Sequence, residues 1–273
     1  MTNKHSILWL DNVDSTNTEA RRRISDIDNL SVLSARFQTA GRGQRGNSWT
    51  SSPGENLTFS IVLKFGGQHS HQMQAYDQFA ISQMTALSVL DFLASYDIEA
   101  RIKWPNDIYI GDRKVCGMLI ENSLNGEWMS WSIIGIGINV NQTDFPDSLV
   151  NPTSMTLQTG RKFDVVNLLP EFMDIFEGYR HRYLHINGGL GKLRKLYLSQ
   201  MWRKDTECTF VDYTSLESGH IDGPVNIVTE SGNPQGRLFR GTVLGVSDTG
   251  NLIIRMKEGY SKEFGFKEIG WVL

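Results

Sequence analysis

Strand-like and helix-like patterns alternate along this chain up to about Trp202, and beyond it the helical pattern stops. Before that point, residues 6–10, 31–38, 56–64, 100–104, 107–110, 115–121 and 131–140 read as strands. Residues 20–27, 73–96, 165–184 and 190–200 read as helices. Leu57, Phe59, Ile61 and Leu63 recur at every second position, the period of a pleated strand. Tyr76, Ala80, Met84, Leu87 and Leu90 fall near one face of a helix, so residues 73–96 are expected to be amphipathic. Thr16 followed by Glu19 has the spacing of a capping box ahead of the first helix. After Trp202 only short runs remain, at 208–211, 225–228, 238–246, 252–256 and 262–265, between dense turn residues. That is the pattern of a small β-barrel. The expected class is α+β, with a mixed sheet packed by helices over residues 1–205 and a small barrel over residues 206–273.

Composition narrows the chemistry. With 40% hydrophobic and 21% charged residues, the chain is an ordinary globular sequence. No apolar run approaches the roughly 20 residues that span a bilayer, and the first residues have no signal-peptide core. Cys116 and Cys208 are the only cysteines, and neither sits in a metal-ligand cluster. No metal site of the protein's own is therefore expected, and the cytoplasm is the expected compartment. A net charge of −3 argues against DNA binding by bulk electrostatics.

Local charge departs from the global balance. Between Asn29 and Gly54 there is no acidic residue, whereas Arg36, Arg42 and Arg45 are present. Gly41, Gly43 and Gly46 surround the last two arginines, and Trp49 closes the run. Glycines let several N–H groups converge on one anion, and arginine adds a planar donor fork. A plain mobile surface loop has the same composition. Lys103 ends a strand beside Trp104, where partial desolvation would let it stabilise negative charge; a solvated edge lysine reads identically. Ser15, Thr16 and Asn17 stand at a helix start, where they would bind a ligand or simply cap.

Taken together, these pieces are far more specific. S-T-N (Ser15, Thr16, Asn17) is followed by Q-T-A-G-R-G-Q-R-G-N-S-W from Gln38 to Trp49. K-W-P-N-D from Lys103, K-V-C-G from Lys114 and G-I-G-I-N-V from Gly135 come next. This order resembles the biotin protein ligases over roughly residues 8–200, and the C-terminal part fits that family's SH3-like domain. The resemblance implies that Ser15, Thr16, Asn17 and Gln38 line a biotin pocket. It implies that Arg42, Gly43 and Gln44 fold over the biotin, and that Arg45, Trp49, Asn106, Lys114 and Asn139 serve the ATP or adenylate. Lys103 is matched to the family's catalytic lysine, bridging the biotin carboxylate and the ATP α-phosphate, with Arg42 as a second catalytic cation. ATP and biotin are the implied substrates, with Mg²⁺ screening the phosphates.

The implied partner is a biotin carboxyl carrier protein or acceptor domain; a homodimer is compatible with it. Position 44 departs from the family pattern, because well-known members carry an arginine there that is tied to retention of the adenylate. Gln44 hydrogen-bonds without neutralising charge, so weaker retention is expected. The bifunctional members also carry a helix-turn-helix domain before S-T-N. Only fourteen residues precede Ser15, so a monofunctional ligase is expected. The rivals are a lipoate or octanoate ligase on the same scaffold and a non-catalytic biotin-responsive binding protein. If the 41–47 loop closes on an anion, trypsin should cut at Arg42 and Arg45 more slowly when biotin and ATP are both present; equal rates would leave the loop a plain surface turn.

Overall fold

The computed structural model describes residues 5–67, 72–186, 188–214 and 236–272. The strand expected at residues 225–228 and the Arg45 side chain lie outside the described residues. Strands β1 (Ile7–Val13), β2 (Val32–Gln38), β3 (Leu57–Lys64), β4 (Arg101–Lys103), β5 (Asp107–Ile110), β6 (Arg113–Asn125) and β7 (Trp128–Ile138) form one mixed sheet. Its order is β1-β2-β3-β7-β6-β5-β4, with β1 parallel to β2 and the other neighbours antiparallel. Helix α1 (Thr16–Arg22) crosses from β1 to β2. Helices α2 (Phe79–Ala94), α4 (Val165–Leu184) and α5 (Gly189–Ser199) pack together, with the short α3 (Met155–Thr159) before them.

Strand β3 shows what organises the layers. Phe59 meets Phe172 of α4 edge-to-face at 5.2 Å, and Phe172 continues to Phe92 and Phe176. On the other side of β3, Val62 joins Leu33, Ile133 and Ala20 of α1 in a separate small cluster. The alternation in residues 56–64 is therefore real, but both faces are buried, because α1 covers the second one.

Three sequence expectations change. Residues 73–96 are not one amphipathic helix. Residues 75–77 form a single 3-10 turn with Tyr76 exposed, and α2 is buried almost all round between α4, α5 and the strands. Thr85 and Ser88 tolerate this by donating to the carbonyls of Ile81 and Met84. The capping box does not form: Ser15 is the N-cap, and Glu19 turns outward to Arg22 and Arg23. Helix α1 also ends at Arg22, well before residue 27.

The C-terminal residues form an antiparallel sheet of β8 (Glu207–Asp212), β9 (Arg237–Val246), β10 (Leu252–Met256), β11 (Ser261–Phe264) and β12 (Ile269–Trp271), in the order β11-β10-β9-β8-β12. Among the described residues β11 and β12 do not pair, so the sheet is open where the sequence suggested a barrel. Strand β12 was not foreseen. One continuous apolar core joins this sheet to α2 and the first sheet. No helix among the described residues is long and apolar enough to cross a membrane. Phe172→Ala should lower the unfolding free energy by about 3–5 kcal/mol, read from chemical denaturation; a loss below about 1 kcal/mol would mean that this aromatic chain is not the core's anchor.

Candidate active site

The face of the first sheet that carries α1 also carries a cavity of about 380 Å³. Its floor follows from register. Gly117 of β6 pairs with Gly137 of β7, and Leu119 pairs with Gly135. In the run Gly135-Ile136-Gly137-Ile138 the isoleucines point into the core and the glycines face the cavity. Three outside groups occupy the space so freed. An added Cβ at Gly135 would lie 2.3 Å from Asn17 Oδ1, and one at Gly137 would lie 2.3 Å from the Trp49 indole. One at Gly117 would meet both Trp49 and the Lys114 stem at 3.2 Å. Residues two apart on a strand are about 7 Å apart. Asn17, Trp49 and Lys114 therefore follow one another across a single surface.

At the Asn17 end, the hydrogen bonds leave a defined pair of polar groups. Asn17 Nδ2 donates to Leu119 O at 3.1 Å and to Glu121 Oε2 at 2.9 Å, using both of its protons. Its Oδ1 lies 2.6 Å from the Ser60 hydroxyl and keeps further acceptor capacity. Gln38 Oε1 accepts from the Thr16 amide at 2.7 Å and the Thr16 hydroxyl at 3.2 Å, which turns Gln38 Nε2 outward as a donor. Ser15, Thr16, Asn17 and Gln38 all line the cavity. That end suits a planar group carrying both N–H and C=O.

At the other end, Lys114 Nζ is held 2.7 Å from Asp107 Oδ1. An ion pair this close fixes the position of the ammonium. Asn106 donates to Met118 O and Asn139 to Thr153 O, and both line the cavity. The glycine loop forms a tight hairpin over the site. Gly43 N donates to Asn47 O at 2.7 Å, Trp49 N donates to Gly41 O at 2.9 Å, and Gly46 takes a φ of 85° that favours glycine. Gly43 and Gln44 line the cavity, and Arg42 reaches Glu121 at 3.2 and 3.4 Å. The Trp49 indole N–H is buried without a partner among the described residues.

Lys103 ends β4, directly before the residues 104–107 that line the cavity. It is 1% exposed, does not line the cavity, and its Nζ lies 4.8 Å from the centroid of the Tyr109 ring, with Trp202 and Trp271 at 5.9 and 5.8 Å. The C-terminal sheet supplies Trp271, one of these rings. Lys114, read from sequence as an adenylate contact, lines the cavity. Ser60, Asp107, Glu121, Ile269 and Trp271 escaped the sequence reading. Ser60 lies in an apolar strand, and the last two lie in a part of the chain that carried no motif. The glycine alternation in G-I-G-I-N-V was the one available signal for the floor. Cys116 is no nucleophile here: burial first, then the Asp107 charge, raises its thiol far above the usual range, keeping it protonated.

Residues 9–139 match the Biotin/lipoate A/B protein ligase family. The chain is 30% identical over 230 residues to the bifunctional ligase/repressor BirA of Bacillus spizizenii, covering 82% of this chain and 61% of that protein. It thus spans about six tenths of the length of that relative. It is 33% identical over 171 residues to a biotin–[acetyl-CoA-carboxylase] ligase of Paracoccus denitrificans, covering 59% of this chain and 66% of that protein. The fold superposes on the biotin protein ligase of Aquifex aeolicus in complex with biotin and ATP, with a TM-score of 0.70 and 25% identity over 97% of each chain.

The floor yields a direct test. Gly137→Ala should lift Trp49 off the sheet, at a cost of about 1–3 kcal/mol for forcing volume into a packed contact. Iodide should then quench tryptophan emission more strongly than in the parent protein, and Trp49→Phe should abolish that difference. Equal quenching would show that the indole does not rest on Gly137.

Proposed function

We propose that this chain is an ATP-dependent biotin–[biotin carboxyl carrier protein] ligase. The observation that carries this reading is the ordered surface over the glycine floor: an acceptor–donor pair at Asn17 and Gln38, then an indole, then a fixed ammonium. A cyclic urea offers N–H to Asn17 Oδ1 and C=O to Gln38 Nε2. Its apolar ring and chain run past Trp49 and deliver the carboxylate toward Lys114. A dithiolane has neither polar group and would leave the half-buried Gln38 amide and the remaining acceptor capacity of Asn17 unused, which disfavours lipoate.

In the first half-reaction a biotin carboxylate oxygen attacks the ATP α-phosphorus, the bond to the β-phosphate oxygen breaks, and pyrophosphate leaves. Lys114 and Arg42 offset the charge that gathers on the α-phosphoryl oxygens. In the second, an acceptor lysine amine attacks the biotinyl carbonyl carbon. The bond to AMP breaks, the amine loses a proton, and an amide remains. The residues position the reactants and exclude water, and no protein nucleophile is required.

Among the described residues no cluster of three His, Cys, Asp or Glu would cage a metal by itself. Among the described residues Asp107 is the one carboxylate lining the cavity, which fits Mg²⁺ held largely by phosphate oxygens and one side chain. Such an ion would screen the phosphates. The same proposal takes residues 1–205 as the catalytic unit and residues 206–273 as an SH3-like unit, with the carrier domain as partner and the cytoplasm as compartment.

The reading is tested by following labelled biotin onto a carboxyl-carrier domain with ATP and Mg²⁺; absence of transfer refutes it. Lys114→Ala should slow pyrophosphate release about 10²–10³-fold, the usual loss for one preorganised electrostatic donor. Biotin affinity should fall far less, because Asn17 and Gln38 hold the opposite end. Release within a few-fold of the parent enzyme would remove Lys114 from the mechanism.

A further inference from the structure

A second cavity, of about 330 Å³, lies at the far end of the same strands. Its lining shares no residue with that of the first. Strand β3 runs between the two. Ser60 pairs with Gly135 of the glycine floor, and Lys64, four residues on, pairs with Trp131. At about 3.4 Å per residue that is about 14 Å along the strand. The face differs as well. Leu63 joins Phe59 and Ile61 in the core that α4 covers, whereas the floor glycines look toward Asn17 of α1 and toward Trp49.

Backbone hydrogen bonds fix the walls. Met129 N donates to Met73 O at 2.9 Å and Ala75 N to Glu127 O at 2.8 Å, which ties residues 73–75 to the start of β7. Lys64 N donates to Asn29 Oδ1 at 2.9 Å. Leu184 ends α4, and Leu190 lies in the first turn of α5. With Leu63, Phe65, Met73 and Trp128, these two leucines give the cavity an apolar body.

One cation in the lining has no counter-ion. Among the described residues no carboxylate lies within ion-pair distance of Arg180, and its hydrogen-bond partner is His185 Nε2 at 2.7 Å. A guanidinium only donates, so that ring nitrogen accepts and orients the group without neutralising it. Arg180 Nε is buried without a partner among the described residues. Asp77 lines the same cavity without pairing with Arg180, and burial holds its carboxyl above the usual range. Lys64 adds a second cation to the lining. Keeping a half-buried guanidinium uncompensated is unfavourable, and a bound anion would offset that cost. The planar donor fork suits a carboxylate in particular.

We propose that this cavity binds a small organic carboxylate with an apolar body. The carboxylate sits on Arg180, and the hydrocarbon lies against Leu184, Leu190 and Trp128. A few convergent polar groups at one side of an apolar cavity of this size are the usual form of a small-molecule site. The site is separate from the glycine-floored one and does not depend on the ligase reading.

Decanoate serves as the probe, and decanol, with the same body and no charge, as its control. Calorimetry on the full chain, with and without saturating biotin, gives the affinities. The variants are Arg180→Gln, which removes the charge, and Leu184→Trp, which fills the cavity; both are checked for folding by circular dichroism. Decanoate should bind saturably and at least about tenfold more tightly than decanol, the discrimination expected of one charge-assisted pair. Arg180→Gln should weaken decanoate about tenfold and leave decanol unchanged, because only the carboxylate meets the guanidinium. Leu184→Trp should abolish binding of both, and biotin should not compete.

No saturable binding of decanoate would overturn the proposal. So would equal affinities for decanoate and decanol, or an unchanged decanoate affinity in folded Arg180→Gln. Displacement of decanoate by biotin would place it in the first cavity and overturn the proposed location. Leucine binding more tightly than decanoate would assign the site to a zwitterion that also uses Asp77, and would overturn the ligand class.

Discussion

The pairing of a glycine with a glycine in the middle of a sheet is the constraint on which the site depends. Gly117 and Gly137 face each other across β6 and β7. Glycine inside a strand costs conformational entropy and contributes no packing of its own. The cost is offset on the opposite face, where Ile134, Ile136 and Ile138 are buried in the core. The alternation thus divides one strand between two tasks. Its odd positions expose bare backbone to a ligand, and its even positions hold the sheet to the helices. Any side chain on the bare positions would displace Asn17, Trp49 or Lys114 from where it now lies.

The charged groups at the site are arranged before any ligand arrives. Asp107 fixes Lys114, and Glu121 holds Arg42 while also accepting from the Asn17 amide and Arg21. Fixed charges of this kind need no reorganisation when negative charge develops between them. Glu121 therefore connects two functions that the sequence shows separately: its carboxylate orients the amide that reads a polar ring and also holds the glycine loop's arginine. Both roles depend on Glu121, Leu119 and Gly117 sharing one face of β6, as the period of two in a strand requires.

Much of this was legible in the sequence, for identifiable reasons. Strand and helix periods placed most elements, and the order of short polar motifs brought out Ser15, Thr16, Asn17, Gln38, Trp49 and Lys114, all of which line one cavity. What was not legible was whatever depends on a distant part of the chain. From its neighbours Ile102 and Trp104, Lys103 reads either as a solvated edge residue or as a catalytic one. Trp271 reaches its side chain from the far end of the chain, and no local pattern announces that contact. Helix α2 likewise looks amphipathic until α4, α5 and the strands cover it on several sides. Ser60 is indistinguishable from any small residue in an apolar strand, yet its hydroxyl lies 2.7 Å from Thr16 Oγ1 and 2.6 Å from Asn17 Oδ1.

The C-terminal sheet then cannot be treated as a tethered module. Trp104 Nε1 donates to Gly250 O at 2.8 Å, and Trp202 Nε1 donates to Gly111 O at 2.9 Å. Phe79 lies against Gly250 where a Cβ would come within 2.6 Å, and Gly250 itself holds a φ of 94°. Trp104 also meets Phe266 edge-to-face at 5.4 Å. Each contact joins a residue on or beside the first sheet and its helices to the C-terminal part or to the segment leading into it, and together they extend one continuous core. Close-packed interiors transmit displacement rather than absorb it. A shift of the C-terminal sheet therefore moves Ile269 and Trp271, and with them one wall of the cavity. The shape of the site is in this sense a property of both sheets, although nearly every motif visible in the sequence belongs to the first.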